Sequence, residues 1–148
     1  MVMPINPEPA RPAVFTPTVG AFYTVDHAGF KAEAYAERKI IVLTLAGSAD
    51  AIAASHVQLM LTRLHLEARR HGTQEVIVDF RLLEFMVSSC FKGFLTWITK
   101  IRDLDEPSRY RIRFLSDAKH LWQRRSLPSL QAFSRQLVTI EFDIKFTE

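Results

Sequence analysis

The chain has 148 residues, 48% of them hydrophobic, and a formal net charge of +3 with a pI near 9.2. That length supports one substantial core and is short for two, and so mild a basic balance, scattered among acidic residues, does not demand nucleic acid as a partner. A single cysteine excludes an intramolecular disulfide, and no apolar run approaches the roughly 20 residues of a membrane helix, so a reducing cytoplasm is the expected compartment.

Residues 1–20 hold most of the seven prolines in an aperiodic, low-charge stretch, which predicts a flexible arm ahead of one domain over residues 21–148. Phe30–Glu37 alternates apolar and charged residues, and residues 39–45 are rich in β-branched side chains. With Arg38 between them, the two runs predict a β-hairpin. Gly47, Ser48, Ala49 and Asp50 punctuate the second strand and offer N-cap groups to a helix carrying Val57, Met60, Leu61, Leu64 and Ala68 at helical spacing. That helix should stop at Gly72, just after Arg69, Arg70 and His71 complement its negative end.

Residues 76–80 read as a central strand, followed by a tight loop and by a helix from Ser88 or Ser89 to about Arg102. Phe91, Phe94, Leu95, Ile98 and Ile101 mark the buried stripe of that helix. Residues 103–108, with their acids and Pro107, predict a loop. Tyr110, Ile112 and Phe114 alternate with Arg109, Arg111 and Arg113, the pattern of a strand with one buried and one basic face. Short helices over 118–124 and 126–136 and a strand over 138–142 complete the order ββαβαβααβ. Strands separated by helices of this length predict an α/β fold, a mixed β-sheet with parallel pairs and helices packed against it.

Ser88 and Ser89 are the residues of most chemical interest. Hydroxyls at a helix N-terminus lie beside unpaired backbone N–H groups and the positive end of the helix dipole, where a phosphate is favoured. The same spacing equally fits Ser88 as a plain N-cap with Ser89 in the first turn. Asp50 reads as an N-cap or as part of a partner surface, Lys92 as a solvated residue or a contact for a phosphate or an acidic partner, and Thr96 falls off the buried stripe. Trp97, also off that stripe, reads either as an interface anchor or as core. Cys90 sits where a helix terminus can lower a thiol pKa, but it has no Cys–His signature and reads as a small buried residue. The five histidines lack metal-ligand spacing and no phosphate-binding Gly-rich loop is present, so neither a metal nor a cofactor is expected. The basic residues of the 109–113 strand lack the aromatic pattern or recognition helix of a nucleic-acid binder.

Three local patterns give the chain a resemblance to the STAS domain of bacterial anti-sigma factor antagonists, over roughly residues 39–142. Leu45-Ala46-Gly47-Ser48-Ala49-Asp50 looks like the family's strand exit, and Val76-Ile77-Val78-Asp79-Phe80 like its central strand. Phe85-Met86-Val87-Ser88-Ser89-Cys90 looks like its signature of an aromatic, an apolar residue, Asp, Ser, Ser or Thr, and Gly, with Val87 in the place of Asp and Cys90 in that of Gly. Trp122 to Gln131 is similar to a subgroup of STAS-like regulators. The resemblance implies a non-enzymatic module of a partner-switching pathway in transcription regulation. Its partners would be an anti-sigma factor that is a GHKL-type serine kinase, and a serine phosphatase. It also implies that phosphorylation falls on Ser88, with Ser89 as the alternative, and that Asp50 helps form the partner surface; Ser89 and, from their places on the helix, Lys92, Thr96 and Trp97 are the further candidates for partner binding. A homodimer is compatible with it. Other readings of the residues are a constitutive scaffold or dimerisation module that has lost phosphorylation, and a small-molecule-binding protein or thiol enzyme built around Cys90 or Trp122.

Overall fold

A computed structural model describes residues 20–143; the arm expected over residues 1–20 lies outside them except for Gly20. Three strands open the fold: β1 (Tyr23–His27), β2 (Phe30–Glu37) and β3 (Ile40–Ala49). Strand β1 goes beyond the expected hairpin. It turns into β2 through Ala28 and Gly29, both at positive φ, as a two-residue type I′ hairpin requires, and pairs antiparallel with it from Tyr23 opposite Ala34 to His27 opposite Phe30. Arg38, also at positive φ, turns β2 into β3 where the hairpin was expected.

The rest alternates helix and parallel strand: α1 (Ala53–Arg70), β4 (Glu75–Met86), α2 (Ser88–Arg102), β5 (Arg111–Asp117), α3 (Leu121–Phe133) and β6 (Val138–Asp143), with a single 3-10 turn at Glu106–Ser108. The six strands lie side by side in chain order, antiparallel from β1 to β3 and parallel from β3 to β6. Right-handed crossovers between neighbouring parallel strands that all advance in one direction place every helix on the same face of the sheet. One core results, in which Phe30, Leu43, Val78, Phe80 and Phe114 of the sheet meet Leu64, Phe94, Ile98 and Leu127 of the helices. No helix among the described residues is long and apolar enough to cross a membrane.

The opposite face carries no helix among the described residues. Its small apolar cluster of Val42, Ile77 and Leu115 is flanked by ion pairs of Arg113 with Glu75 (2.8 Å) and of Arg81 with Asp79 (2.8 Å). Arg113 also lies 3.6 Å from Glu141. The expected basic stripe is therefore largely neutralised within the sheet: Arg109 lies outside β5, donating to the Leu104 carbonyl, and only Arg111 remains exposed on the strand. At the β2–β3 turn this face holds an open groove of about 450 Å³, lined among others by Tyr35, Arg38, Ile40 and Val42.

Three expected boundaries move. Strand β4 does not end at Phe80 in a tight loop but runs on to Met86, because β3 itself continues through Gly47 to Ala49 and supplies a partner for it. The continuation is irregular, with breaks in register around Leu45 and between Gly47 and Ser48. The two short helices expected near the C-terminus are one helix, α3, with Pro128 inside it. Pro128 cannot donate to the carbonyl of Arg124 and its ring crowds that carbonyl; both residues are exposed, so water can satisfy the carbonyl where it tilts outward.

Trp97 settles on the core side of α2. It is 2% exposed, and its indole N–H donates to the Tyr110 hydroxyl at 3.0 Å. That hydroxyl also lies 2.5 Å from Nδ1 of His65, so indole, phenol and imidazole form one hydrogen-bonded chain. Burial, followed by Lys100 and Arg69, holds His65 below its ordinary pKa of 6.5. A depressed folded-state pKa means that the unfolded chain binds the extra proton first, so stability is full above about pH 6.5 and falls as pH drops below it. Thermal melts between pH 7.5 and pH 5 should show a loss that is smaller in His65→Gln; equal losses in both chains would remove His65 from the account.

Candidate functional site

The C-terminal ends of the parallel strands gather the N-termini of α1, α2 and α3 at one end of the sheet. Strand β3 ends at Ala49, whose carbonyl accepts from the Val87 N–H at 2.9 Å, tying the start of α1 to the start of α2. The Asp50 carboxylate accepts from the backbone N–H groups of Ile52 (3.1 Å) and Ala53 (3.0 Å), closing the turn into α1. Asp50 is exposed, so this structural duty leaves it on the same surface as the serines.

Helix α2 begins without a side-chain cap. Its N-cap is Val87, in extended conformation, and its first residues are Ser88 and Ser89. Ser88 is therefore not the capping residue that its spacing permitted; it lies one position further in and is exposed, as is Ser89. A valine at the cap offers no oxygen to the first turn, which leaves the positive end of the helix without a protein acceptor from that position. Four residues apart along α2, Ser88, Lys92 and Thr96 share one exposed stripe.

Large apolar side chains are exposed at this same end. Leu82 and Phe85 on the β4 extension, Ile52 at the entry to α1 and Leu121 at the start of α3 are each about half exposed or more. None of the four was read as a surface residue from the sequence; for Leu82 and Phe85 the reason is that the stretch 81–87 reads as a loop once β4 is stopped at Phe80. Within that stretch Leu83 is fully buried while Leu82, Glu84 and Phe85 are exposed, a division that the run Leu-Leu-Glu-Phe does not announce.

The β4 extension is held in place by α3. Gln123, fully buried, donates to the carbonyls of Phe80 (2.7 Å) and Leu83 (2.9 Å) and accepts from the Asp117 N–H (2.9 Å). Trp122 donates to the Leu83 carbonyl at 3.1 Å, and Nε2 of His120 lies 3.2 Å from the Arg81 carbonyl. These contacts replace β5, whose pairing with β4 stops at Asp79.

Two alternative readings fail at this site, Trp97 as an interface anchor and Cys90 as a reactive thiol, and the reading of Cys90 as a small buried residue holds. Trp97 cannot anchor a partner, since its ring is packed in the core against Phe94 and Tyr110. Cys90 is fully buried, and desolvation followed by the charge of Asp50 pushes its thiol up to about 11, which disfavours the thiolate that a nucleophile needs. Among the described residues no group of three or more His, Cys, Asp or Glu could hold a metal.

No protein-family model matches the chain, and no curated protein sequence does. Solved structures do. An anti-sigma factor antagonist from Mycobacterium paratuberculosis superposes with a TM-score of 0.54 at 12% identity, covering 70% of this chain and 80% of its own. The phosphorylated form of the Bacillus cell fate determinant SpoIIAA superposes with a TM-score of 0.52 at 18% identity, covering 76% of this chain and 90% of its own. The fold is that of a STAS domain. Its STAS architecture places Val87, Ser88 and Ser89 at the junction of the central strand and the following helix, where the resemblance located the signature. At these identities the likeness is one of fold, and the roles of individual residues rest on the geometry of the site.

Proposed function

We propose that this STAS domain is a non-enzymatic, cytoplasmic regulatory module of a bacterial partner-switching pathway. It binds a protein of the anti-sigma factor and serine-kinase class through the Ser88 end of the sheet, and Ser88 is the residue whose phosphorylation ends the binding. The observation that carries this reading is an exposed hydroxyl at the first position of an uncapped helix, on an end of the sheet that also exposes Ile52, Leu82, Phe85 and Leu121.

The chemistry follows from that placement. Phosphorylation adds about −1.5 to −2 charge at neutral pH, and the helix N-terminus tolerates it, so the domain keeps its fold. A partner packed over the exposed apolar side chains would have to desolvate the dianion, and a loss of a few kcal/mol changes affinity by orders of magnitude. Asp50, Ser89, Lys92 and Thr96 complete the contact surface, and a serine phosphatase would restore the binding form.

Val87 favours a second reading. With no carboxylate at the helix cap, the module could bind its partner constitutively, without being modified. Incubation with the serine kinase and ATP followed by intact-mass measurement separates the two. The first reading predicts one added phosphate that Ser88→Ala abolishes and Ser89→Ala retains; no added phosphate favours the constitutive module.

A further inference from the structure

Helix α1 carries an exposed apolar seam that adjoins the Ser88 surface at Asp50 and Ile52 and runs away from it through Leu59 and Leu66. Ile52, just before the helix, and Leu59 and Leu66 within it are 61%, 62% and 55% exposed, and each is seven residues from the next. Seven residues are close to two helical turns, so the three side chains form one line along the solvent side. The buried residues Val57, Met60, Leu61, Leu64 and Ala68 occupy the opposite side, so the seam contributes nothing to the core. Beside it stand the small hydroxyl residues Ser55 and Thr62, which allow a facing helix to approach closely.

We infer that this seam is a self-association surface, on which α1 of a second copy of this chain packs antiparallel about a two-fold axis at Leu59. In that register Leu59 meets its own copy and Ile52 meets Leu66 at both ends, so one line of three residues is self-complementary, as a two-fold interface demands. Charge selects the antiparallel sense. The exposed acid Asp50 lies at the start of α1, while Arg69 and Arg70 are exposed at its end. Antiparallel pairing brings each Asp50 to the Arg69 and Arg70 of the other copy and opposes the two helix dipoles. Parallel pairing would set Arg63, Arg69 and Arg70 against their own copies, and the one acid among them, Glu67, is buried and already paired with Arg63 and Arg70 of its own chain.

A single pair of helices about 27 Å long buries less than the roughly 800 Å² per partner of a standard interface, so the dimer is of the weak, reversible kind. Sedimentation of the full chain across a concentration series, up to about 1 mM, should give a monomer–dimer equilibrium that weakens with salt. Leu59→Lys should weaken it by about tenfold or more while leaving the thermal melt unchanged, because the side chain is exposed. Phe85→Lys, outside the seam, should leave it intact. Single cysteines report the register, since the native Cys90 is buried. Under mild oxidation Leu59→Cys should cross-link to itself, Leu66→Cys should not, and a mixture of Ile52→Cys with Leu66→Cys should give the mixed dimer. A chain monomeric throughout the series, a dimer indifferent to Leu59→Lys, or self-linking of Leu66→Cys as efficient as that of Leu59→Cys would each overturn the inference.

Discussion

Gly47→Ala should lower the stability of the domain by about 3–4 kcal/mol, equivalent to a fall in melting temperature of roughly 10 °C. Gly47 sits inside β3 at φ +88, where an L side chain is strained, and a Cβ built on it would lie 1.9 Å from the Gly29 carbonyl oxygen. That neighbour is backbone and cannot swing away. The same carbonyl accepts from the Ser48 N–H at 3.0 Å, so relief of the clash would break the contact that locks the β1–β2 turn onto β3. Gly93→Ala is the matched comparison. In mid-α2 its new methyl would meet Val57 Cγ1 at an ordinary 3.9 Å, so the helix gains about 0.5–1 kcal/mol. Thermal or urea melts of the two variants should move in opposite directions; a Gly47→Ala chain as stable as the parent would mean that the close approach of β3 to the β1–β2 turn is wrong.

Gln123→Leu should cost about 2–4 kcal/mol although leucine is close to glutamine in size. The substitution leaves the Phe80 carbonyl and the Asp117 N–H without the partner that Gln123 supplied, in a place sealed from water; the Leu83 carbonyl keeps Trp122. Those groups lie where β4 has outrun β5, so the amide of α3 substitutes for the missing strand. The effect should also be local. Amide hydrogen exchange should quicken across residues 80–87, the segment that delivers Phe85 and the start of α2 to the surface, more than in the β2–β3 hairpin. A melt unchanged within about 2 °C, or uniform quickening throughout, would show that Gln123 does not hold the segment.

Regular periodicity made most of the architecture legible. The apolar spacing of α1 and its stop at Gly72, the alternation in β5 and the extent of α2 were all readable, because each follows from one face meeting one core. The failures occur where a distant segment decides. Gly47 looks like a strand terminator, but its positive φ is absorbed as an irregularity against Gly29, so both β3 and β4 run on. Trp97 falls off the stripe drawn through Phe91 and Leu95; yet those two are only partly buried, while Trp97 finds a buried hydroxyl for its N–H in Tyr110, thirteen residues away. Strand β1 was missed because Ala28-Gly29 lacks the Asn or Asp that marks a two-residue hairpin, although Ala28 takes the positive φ such a turn needs. Of the site residues, Ser88, Ser89, Asp50, Lys92 and Thr96 are exposed as a surface role requires. Of the apolar side chains beside them, Leu82 and Phe85 were hidden by the misread end of β4.

Affinity of the unmodified chain and of Ser88→Asp for the anti-sigma factor and serine kinase proposed as the partner, measured side by side by titration calorimetry, tests the central proposal most directly. The account predicts tight binding by the parent chain and binding weakened by about tenfold or more in Ser88→Asp, with melting temperatures that agree closely, because the new carboxylate suits the helix N-terminus it occupies. Equal affinity of the two chains would contradict it.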